Sequence, residues 1–268
     1  MNSIIGFIGT GNMGGALATA CAKAVDPKTI YLSNKTAAKA QALADRLGCS
    51  AVSVPTVAET CNLIFLGVKP QMMADLLAQI APILKARTDG FVLVSMAAGL
   101  TMEQIRQMAG GDYPVIRIMP NTPVAVGQGV ILYDTTENVS NDALALFCDA
   151  MSRGGLLDRL PEKHIDAGSA VAGCGPAFTC LFLEALADGG VACGLPRAKA
   201  MDYAAQMLLG TAALTLQTGQ HPGQLKDAVC SPGGSTIAGI RALEQAGFRA
   251  AAMEAVEAAF YRNRELGK

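Results

Sequence analysis

Tryptophan is absent from this chain, aromatic residues make up only 5% of it, and charged residues only 16%. With few large rings available, the interior must be filled by Ala, Leu, Val, Ile and Met, and small side chains let helices approach closely. A surface this poor in charge hints at area lost to partner subunits. Histidine is scarce as well. The two present, His164 and His221, lie far apart, and none of the eight cysteines forms a CxxC pair. No metal site is therefore expected, and the thiols read as reduced, mostly buried side chains of a cytoplasmic protein. The formal net charge is −1, which offers neither a basic footprint for nucleic acid nor an electrostatic anchor for a membrane. No uninterrupted apolar run reaches the ~18 residues that span a bilayer. No positive charge precedes Lys23, so a secretory signal is not expected, and the apolar start reads as a first buried strand.

What is present is a globular composition: 268 residues, 51% hydrophobic, enough for two small domains. Short strand-like runs fall at Ile4–Ile8, Ile30–Leu32, Ala51–Val54, Leu63–Val68, Phe91–Ser95 and Val115–Met119. Helical patterns separate them at Gly11–Ala24, Thr36–Leu47, after Pro70 and from Thr101. This alternation predicts an α/β fold, a Rossmann-type doubly wound sheet covered on both faces. Val130–Tyr133, a helix over Asp142–Met151 and Leu156–Leu160 complete it. After Pro161 the strand signals stop. Gly175–Ala187, Arg197–Gln217, Gln224–Val229, Thr236–Gln245 and Phe248–Leu266 read as helices, with Gly194-Leu195-Pro196 as a stop and restart. The expected division is therefore 1–162 for dinucleotide binding and 163–268 for an all-helical domain. Arg197–Gln217 carries apolar residues on both sides, so it must be buried on most of its surface. A domain of this size can hardly bury it alone. A homodimer through the helical halves is expected, the alternative being cover by other helices of the same chain.

Gly9-Thr10-Gly11-Asn12-Met13-Gly14 matches GxGxxG between a strand and a helix, the context that gives this short pattern meaning. Gly9 permits the tight turn, Gly11 lets the backbone approach a pyrophosphate, and Gly14 packs the helix on the strand. The alternative is a glycine-rich turn with no ligand. At the end of the second strand an NAD site usually places a carboxylate for the ribose 2′-OH. Here the strand ends in Ser33-Asn34-Lys35, which can donate to a 2′-phosphate and bring it a positive charge. NADPH is the expected cofactor, with NADH also accepted since nothing repels it; the alternative is a solvated turn with an ordinary helix cap. Val68-Lys69-Pro70-Gln71 follows the fourth strand and lies above the carboxyl edge of the sheet, where Lys69 reads as a group that positions a polyanion, the alternative being a catalytic base. Met119–Pro123, "MPNTP", leaves another strand at the same edge. Asn121 and Thr122 there either face the nicotinamide or simply make the turn.

The helical half holds a second glycine turn. Ser231-Pro232-Gly233-Gly234-Ser235-Thr236 stands directly ahead of a helix, where free N–H groups could hold a carboxylate with the Thr236 hydroxyl beside it. The alternative is an ordinary N-cap made by Ser235 or Thr236. Cys174 has no nameable base and reads as structural. Glu184 and Asp188, four apart on one helix face, read as a polar patch or a helix C-terminal feature, the alternative being a paired-carboxylate site, while His164 reads as a helix-start residue and His221 as a residue before proline. The missing catalytic base is informative, because an imine is already basic and can arrive protonated. Its reduction needs positioning and a hydrogen-bonding group more than a strong acid.

Taken together, "GFIGTGNMGGALA", "VKPQ", "MPNTP", "GCGPAF", "EALADGGVACGLPR", "HPGQLKD" and "SPGGSTIAGIRALE" resemble pyrroline-5-carboxylate reductase, in that family's order and over nearly the whole chain. The pattern departs from the family's usual residues at Cys174, often serine, and at Ser235, often threonine or alanine. The resemblance implies NAD(P)H-dependent reduction of the C=N bond of 1-pyrroline-5-carboxylate to L-proline, the last step of proline synthesis. It implies a helical dimerisation domain, a decamer of five dimers as the larger assembly, and a substrate pocket built at the dimer interface. Carried over by position, Ser231, Gly233, Gly234, Ser235 and Thr236 form the carboxylate cradle, and Thr236 bonds the ring nitrogen. Val68, Lys69, Asn121 and Pro123 border the nicotinamide. A β-hydroxyacid dehydrogenase would need a catalytic lysine in a glycine-rich helix of the second half, and no such stretch occurs. A dinucleotide sensor would need no second anion site.

Overall fold

The computed structural model describes residues 3–266. Eight strands form one sheet in the order β3-β2-β1-β4-β5-β6-β7-β8. They are β1 (Ile5–Ile8), β2 (Ile30–Ser33), β3 (Ser50–Ala51), β4 (Leu63–Leu66), β5 (Val92–Ser95), β6 (Val115–Pro120), β7 (Gly129–Thr135) and β8 (Gly155–Arg159). All pairs are parallel except β6 with β7. The first six follow the doubly wound order, whose reversal between β1 and β4 opens a crevice at the carboxyl edge.

Helices α1 (Asn12–Ala22), α2 (Ala37–Leu47), α3 (Val54–Thr60), α4 (Met73–Ala86), α5 (Met102–Ala109) and α6 (Asn141–Met151) surround the sheet. The core divides by strand alternation. Leu63 and Phe65 of β4 enter one cluster with Phe7, Leu17 and Phe147, while Ile64 and Leu66 enter another with Leu77, Ile80 and Ile105. Phe7 and Phe65 stack with centroids 4.4 Å apart.

The strand expected over Ala51–Val54 stops at Ala51, and Val54 opens α3 instead. Ser53 caps that helix by accepting from the Thr56 N–H, with Pro55 in its first turn, and these local signals outweigh the β-branched residues. Beyond Pro161 the chain forms α7 (Glu162–Gly168) and one π turn (Ser169–Gly173) before α8 (Gly175–Ala192). The α7 segment rests on the sheet. Arg117 of β6, with its side chain 4% exposed, pairs with Asp166 at 2.8 Å and Glu162 at 3.3 Å.

The chain separates into two compact units, 1–174 with 259–268, and 175–258. The division expected at 162/163 falls at the start of α7, whose ion pairs place it with the sheet. The second unit holds α8, α9 (Arg197–Thr218), α10 (Pro222–Ala228), α11 (Ser235–Gln245) and most of α12 (Phe248–Leu266). Gly194, at φ +95, ends the α8 turn, and Pro196 caps α9. Asp188 pairs with Arg197 across that break, so it is a structural ion partner rather than half of a carboxylate pair.

Among the described residues of this unit only Ala187, Ala200 and Ala204 are buried apolar side chains. The chain by itself therefore does not cover α9 as its composition requires. Leu209, Leu214 and Leu216 stand exposed, and Phe178, Leu181, Phe182, Leu208 and Phe248 line an apolar cleft of about 470 Å³. The helical run Glu162–Ala192 is also long and apolar enough, by length and composition, to cross a bilayer. Counting uninterrupted apolar residues misses it, because scattered polar residues interrupt the run without lowering its mean hydropathy far.

Candidate active site

At the end of β1 the chain turns through Gly9, at φ +96, whose N–H donates to the Ser33 carbonyl at 2.8 Å. A Cβ on Gly9 would lie 2.4 Å from the Gly67 carbonyl oxygen, and one on Gly14 would lie 2.0 Å from the Gly9 oxygen. Gly9 and Gly14 thus do what the motif requires of them. Gly11 has no atom within 4 Å of where a Cβ would stand, so its side of the turn is free for close approach. Gly11 is also the N-cap of α1 and no side chain caps that helix. Its first amides and the positive end of its dipole are thereby offered to an anion. The Thr10 hydroxyl is buried without a hydrogen-bond partner among the described residues. A buried hydroxyl left unpaired costs about 1–3 kcal/mol, which an accepting phosphate would recover. The turn therefore fits a dinucleotide diphosphate. Asn12 and Met13 are the first two residues of α1.

Gly67 is a glycine that motif reading misses. Its own Cβ would meet the Gly9 oxygen at 2.4 Å, and its N–H donates to Ile8 at 2.7 Å. Only the pairing of β1 with β4 reveals that two glycines must face one another.

The structure brings Gly9, Gly11, Asn34, Lys35, Val68 and Lys69 to one cleft of about 490 Å³. Asn34 and Lys35 continue with Ser33 into an adjoining cleft of about 650 Å³. Neither Lys35 nor Lys69 has a carboxylate within 4 Å among the described residues. Asp75 of α4 also lines the first cleft. This carboxylate arrives from a different element, so inspection of the strand end alone does not find it. Pro70 begins the short 3-10 turn Pro70–Met72. Pro123 lies in another, Thr122–Val126, which packs beside α1.

The side chain of Asn121 takes the turn-making alternative. It is 7% exposed, and both ends of its side-chain amide are committed internally. Its Nδ2 donates to the Ala172 carbonyl at 3.0 Å, and its Oδ1 accepts from the Val130 N–H at 2.8 Å.

In the helical unit, Gly233 takes φ +69 and the Gly234 N–H donates to the Ser231 carbonyl at 3.1 Å, which closes the turn. Gly234 is then the N-cap of α11, again with no side-chain cap. Ser235 and Thr236 therefore lie inside the first turn, exposed, and do not cap it. The ordinary-cap alternative does not describe this turn. Its amides are open to an anion in the manner of α1. His221 accepts from the Gly223 N–H at 3.1 Å as the cap of α10. Burial pushes the Cys21 thiol up to about 12, and the Cys49 and Cys61 thiols up to about 11. All three stay protonated and unreactive near neutral pH.

A doubly wound sheet with an uncapped glycine turn, a basic strand end and an apolar helical half defines an NAD(P)-dependent oxidoreductase. Residues 4–99 match the family described as NADP oxidoreductase, coenzyme F420-dependent, and residues 162–266 match pyrroline-5-carboxylate reductase dimerisation. The chain is 38% identical to pyrroline-5-carboxylate reductase of Escherichia coli (strain K12) over 100% of both chains. It is 38% identical to that of Pisum sativum over 98% of this chain and 95% of the relative. Among solved structures, Plasmodium falciparum pyrroline carboxylate reductase with NADP bound superposes with a TM-score of 0.89 at 31% identity, covering 100% of this chain and 99% of that one. The chain belongs to the pyrroline-5-carboxylate reductase family.

Proposed function

We propose the following division of labour for the reaction of this family, reduction of the C=N bond of 1-pyrroline-5-carboxylate to L-proline with NAD(P)H. The observation that carries it is the presence, in one chain of this family, of two glycine-led helix N-termini without side-chain caps, α1 and α11. One suits a diphosphate and the other a carboxylate.

Gly9, Thr10, Gly11, Asn12, Met13 and Gly14 hold the diphosphate. Ser33, Asn34 and Lys35 hold the 2′-phosphate, which makes NADPH the preferred cofactor and NADH an acceptable one. When bound, the cofactor supplies the hydride. Val68, Lys69, Pro70 and Pro123 border its nicotinamide end. Ser231, Gly233, Gly234, Ser235 and Thr236 bind the substrate carboxylate, and the Thr236 hydroxyl hydrogen-bonds the ring nitrogen as that atom gains its proton. No strong acid is required, because the imine is itself basic.

The apolar faces of α8 and α9 are covered by a second copy rather than by lipid, giving a homodimer through the C-terminal half, with a decamer of five dimers as the larger assembly. Eight unpaired thiols suit a reducing cytoplasm.

Consumption of NADPH by the purified protein in step with proline formation is the expected result. Retained NADPH binding without turnover would favour a dinucleotide sensor. Thr236→Ala is expected to lower kcat about 10- to 100-fold while the Kd for NADPH holds. An unchanged kcat would remove Thr236 from the chemistry.

A further inference from the structure

Of the two readings of Asn121, facing the nicotinamide or making the turn, its side chain follows the second: it points into the protein and both its polar ends are used there. What it holds is informative. Ala172 lies in the π turn Ser169–Gly173, where the Cys174 N–H donates to the Ser169 carbonyl at 3.0 Å, five residues back. π turns are rare and occur disproportionately at functional sites. Asn121 also pairs through its backbone N–H with the Val130 carbonyl at 3.1 Å and is the N-cap of the 3-10 turn Thr122–Val126 beside α1. A single residue thereby ties three segments together: the π turn, the antiparallel strand β7, and the turn beside the dinucleotide helix.

Arg117 is the second grip on the same run. It stands four residues before Asn121 on the extended chain, hence on the same side, and holds Asp166 of α7. The two grips differ in reach. Arg117 fixes the helix upstream of the π turn, whereas Asn121 fixes the π turn itself and begins the turn that flanks α1.

We propose that Asn121 is a positioning residue for the reduction. It touches neither cofactor nor substrate, and it sets the wall on the nicotinamide side by locking the π turn to the Thr122–Val126 turn. This inference rests on the reading that the 3-10 turn borders the nicotinamide. The amide is required because the site needs one acceptor, for Val130, and one donor, for Ala172. Aspartate at this position keeps the acceptor and sets a carboxylate oxygen against a carbonyl oxygen.

The test compares Asn121→Asp with Asp166→Asn, which loosens the other grip. The readouts are kcat, KM for the imino acid, NADPH affinity by calorimetry, and the emission of bound NADPH. The absence of tryptophan leaves that emission free of energy transfer from this residue type. N121D is expected to lower kcat about 10- to 100-fold, the scale of a small misplacement of reacting groups. It is expected to change bound NADPH emission and to hold NADPH affinity within about threefold, since the diphosphate and 2′-phosphate contacts are elsewhere. D166N is expected to lower Tm with kcat within about twofold, because Asn121 still locks the turn.

A parallel loss of NADPH affinity in N121D would overturn the proposal in favour of direct cofactor contact. Equal loss of kcat in both variants would overturn it in favour of general loosening, and unchanged kcat and emission in N121D would overturn it outright. If the wild-type protein fails to turn over pyrroline-5-carboxylate, the functional reading fails. The emission and affinity arms then still decide whether Asn121 orients the nicotinamide.

Discussion

The two compact units solve the burial problem in opposite ways. In the sheet unit, every residue of β1, β4, β5 and β6 is buried, and large side chains such as Phe7, Phe65 and Phe147 fill the interior. In the helical unit, the buried apolar side chains among the described residues are three alanines, while Leu181 is 70% and Leu216 84% exposed. The first is a domain with its own core. The second is an assembly of apolar helices that leaves much of its apolar surface open within this chain. The same scarcity of charge and aromatics runs through both, so composition does not separate them. What separates them is whether the apolar residues meet within one chain.

Three perturbations sharpen this contrast, in order of expected size. Phe65→Ala should cost about 4 kcal/mol, because its ring is fully buried and stacked on Phe7. Urea unfolding of the sheet unit should report that loss independently of protein concentration. Leu181→Asp lies on the open apolar cleft. It should cost about 1.5–3 kcal/mol per side of a two-fold interface, felt twice per dimer. Sedimentation should show dissociation, and thermal unfolding should become strongly dependent on concentration. If Leu181→Asp remains dimeric, that face is not the one covered. The smallest effect belongs to the cofactor cleft. Lys35→Glu should weaken NADPH about 10-fold and NADH little, the cost of replacing an attractive charge by a repulsive one at an exposed site. Titration with both cofactors checks it, and equal losses would detach Lys35 from the 2′-phosphate.

The candidate site was legible wherever a local pattern fixes a local geometry. GxGxxG could be read because a tight turn, a close approach and an uncapped helix start are properties of a few consecutive residues. The second glycine turn could be read for the same reason, although the structure was needed to show that Gly234 caps α11 and leaves Ser235 and Thr236 inside the helix. The α3 helix was missed because Val54, Thr56 and Val57 favour strands one by one, whereas Ser53 and Pro55 set the helix start together. The start of α7 beside His164 was legible, whereas its seat on the sheet depends on tertiary partners, Arg117 above all. Gly67 and Asp75 were invisible for one reason. Their relation to the dinucleotide turn passes through the β1–β4 pairing and the placement of α4, not through their neighbours in the chain.

Sequence by itself determined the α/β alternation of the first half, the all-helical second half, the dinucleotide turn, the basic strand end and the family, because periodicity, glycine conformational freedom and motif order act over short spans. Tertiary structure alone decided that Gly9 faces Gly67 and that Asn121 turns inward to hold a π turn. Each of these depends on which distant residues meet, and that is set by strand register and packing between elements.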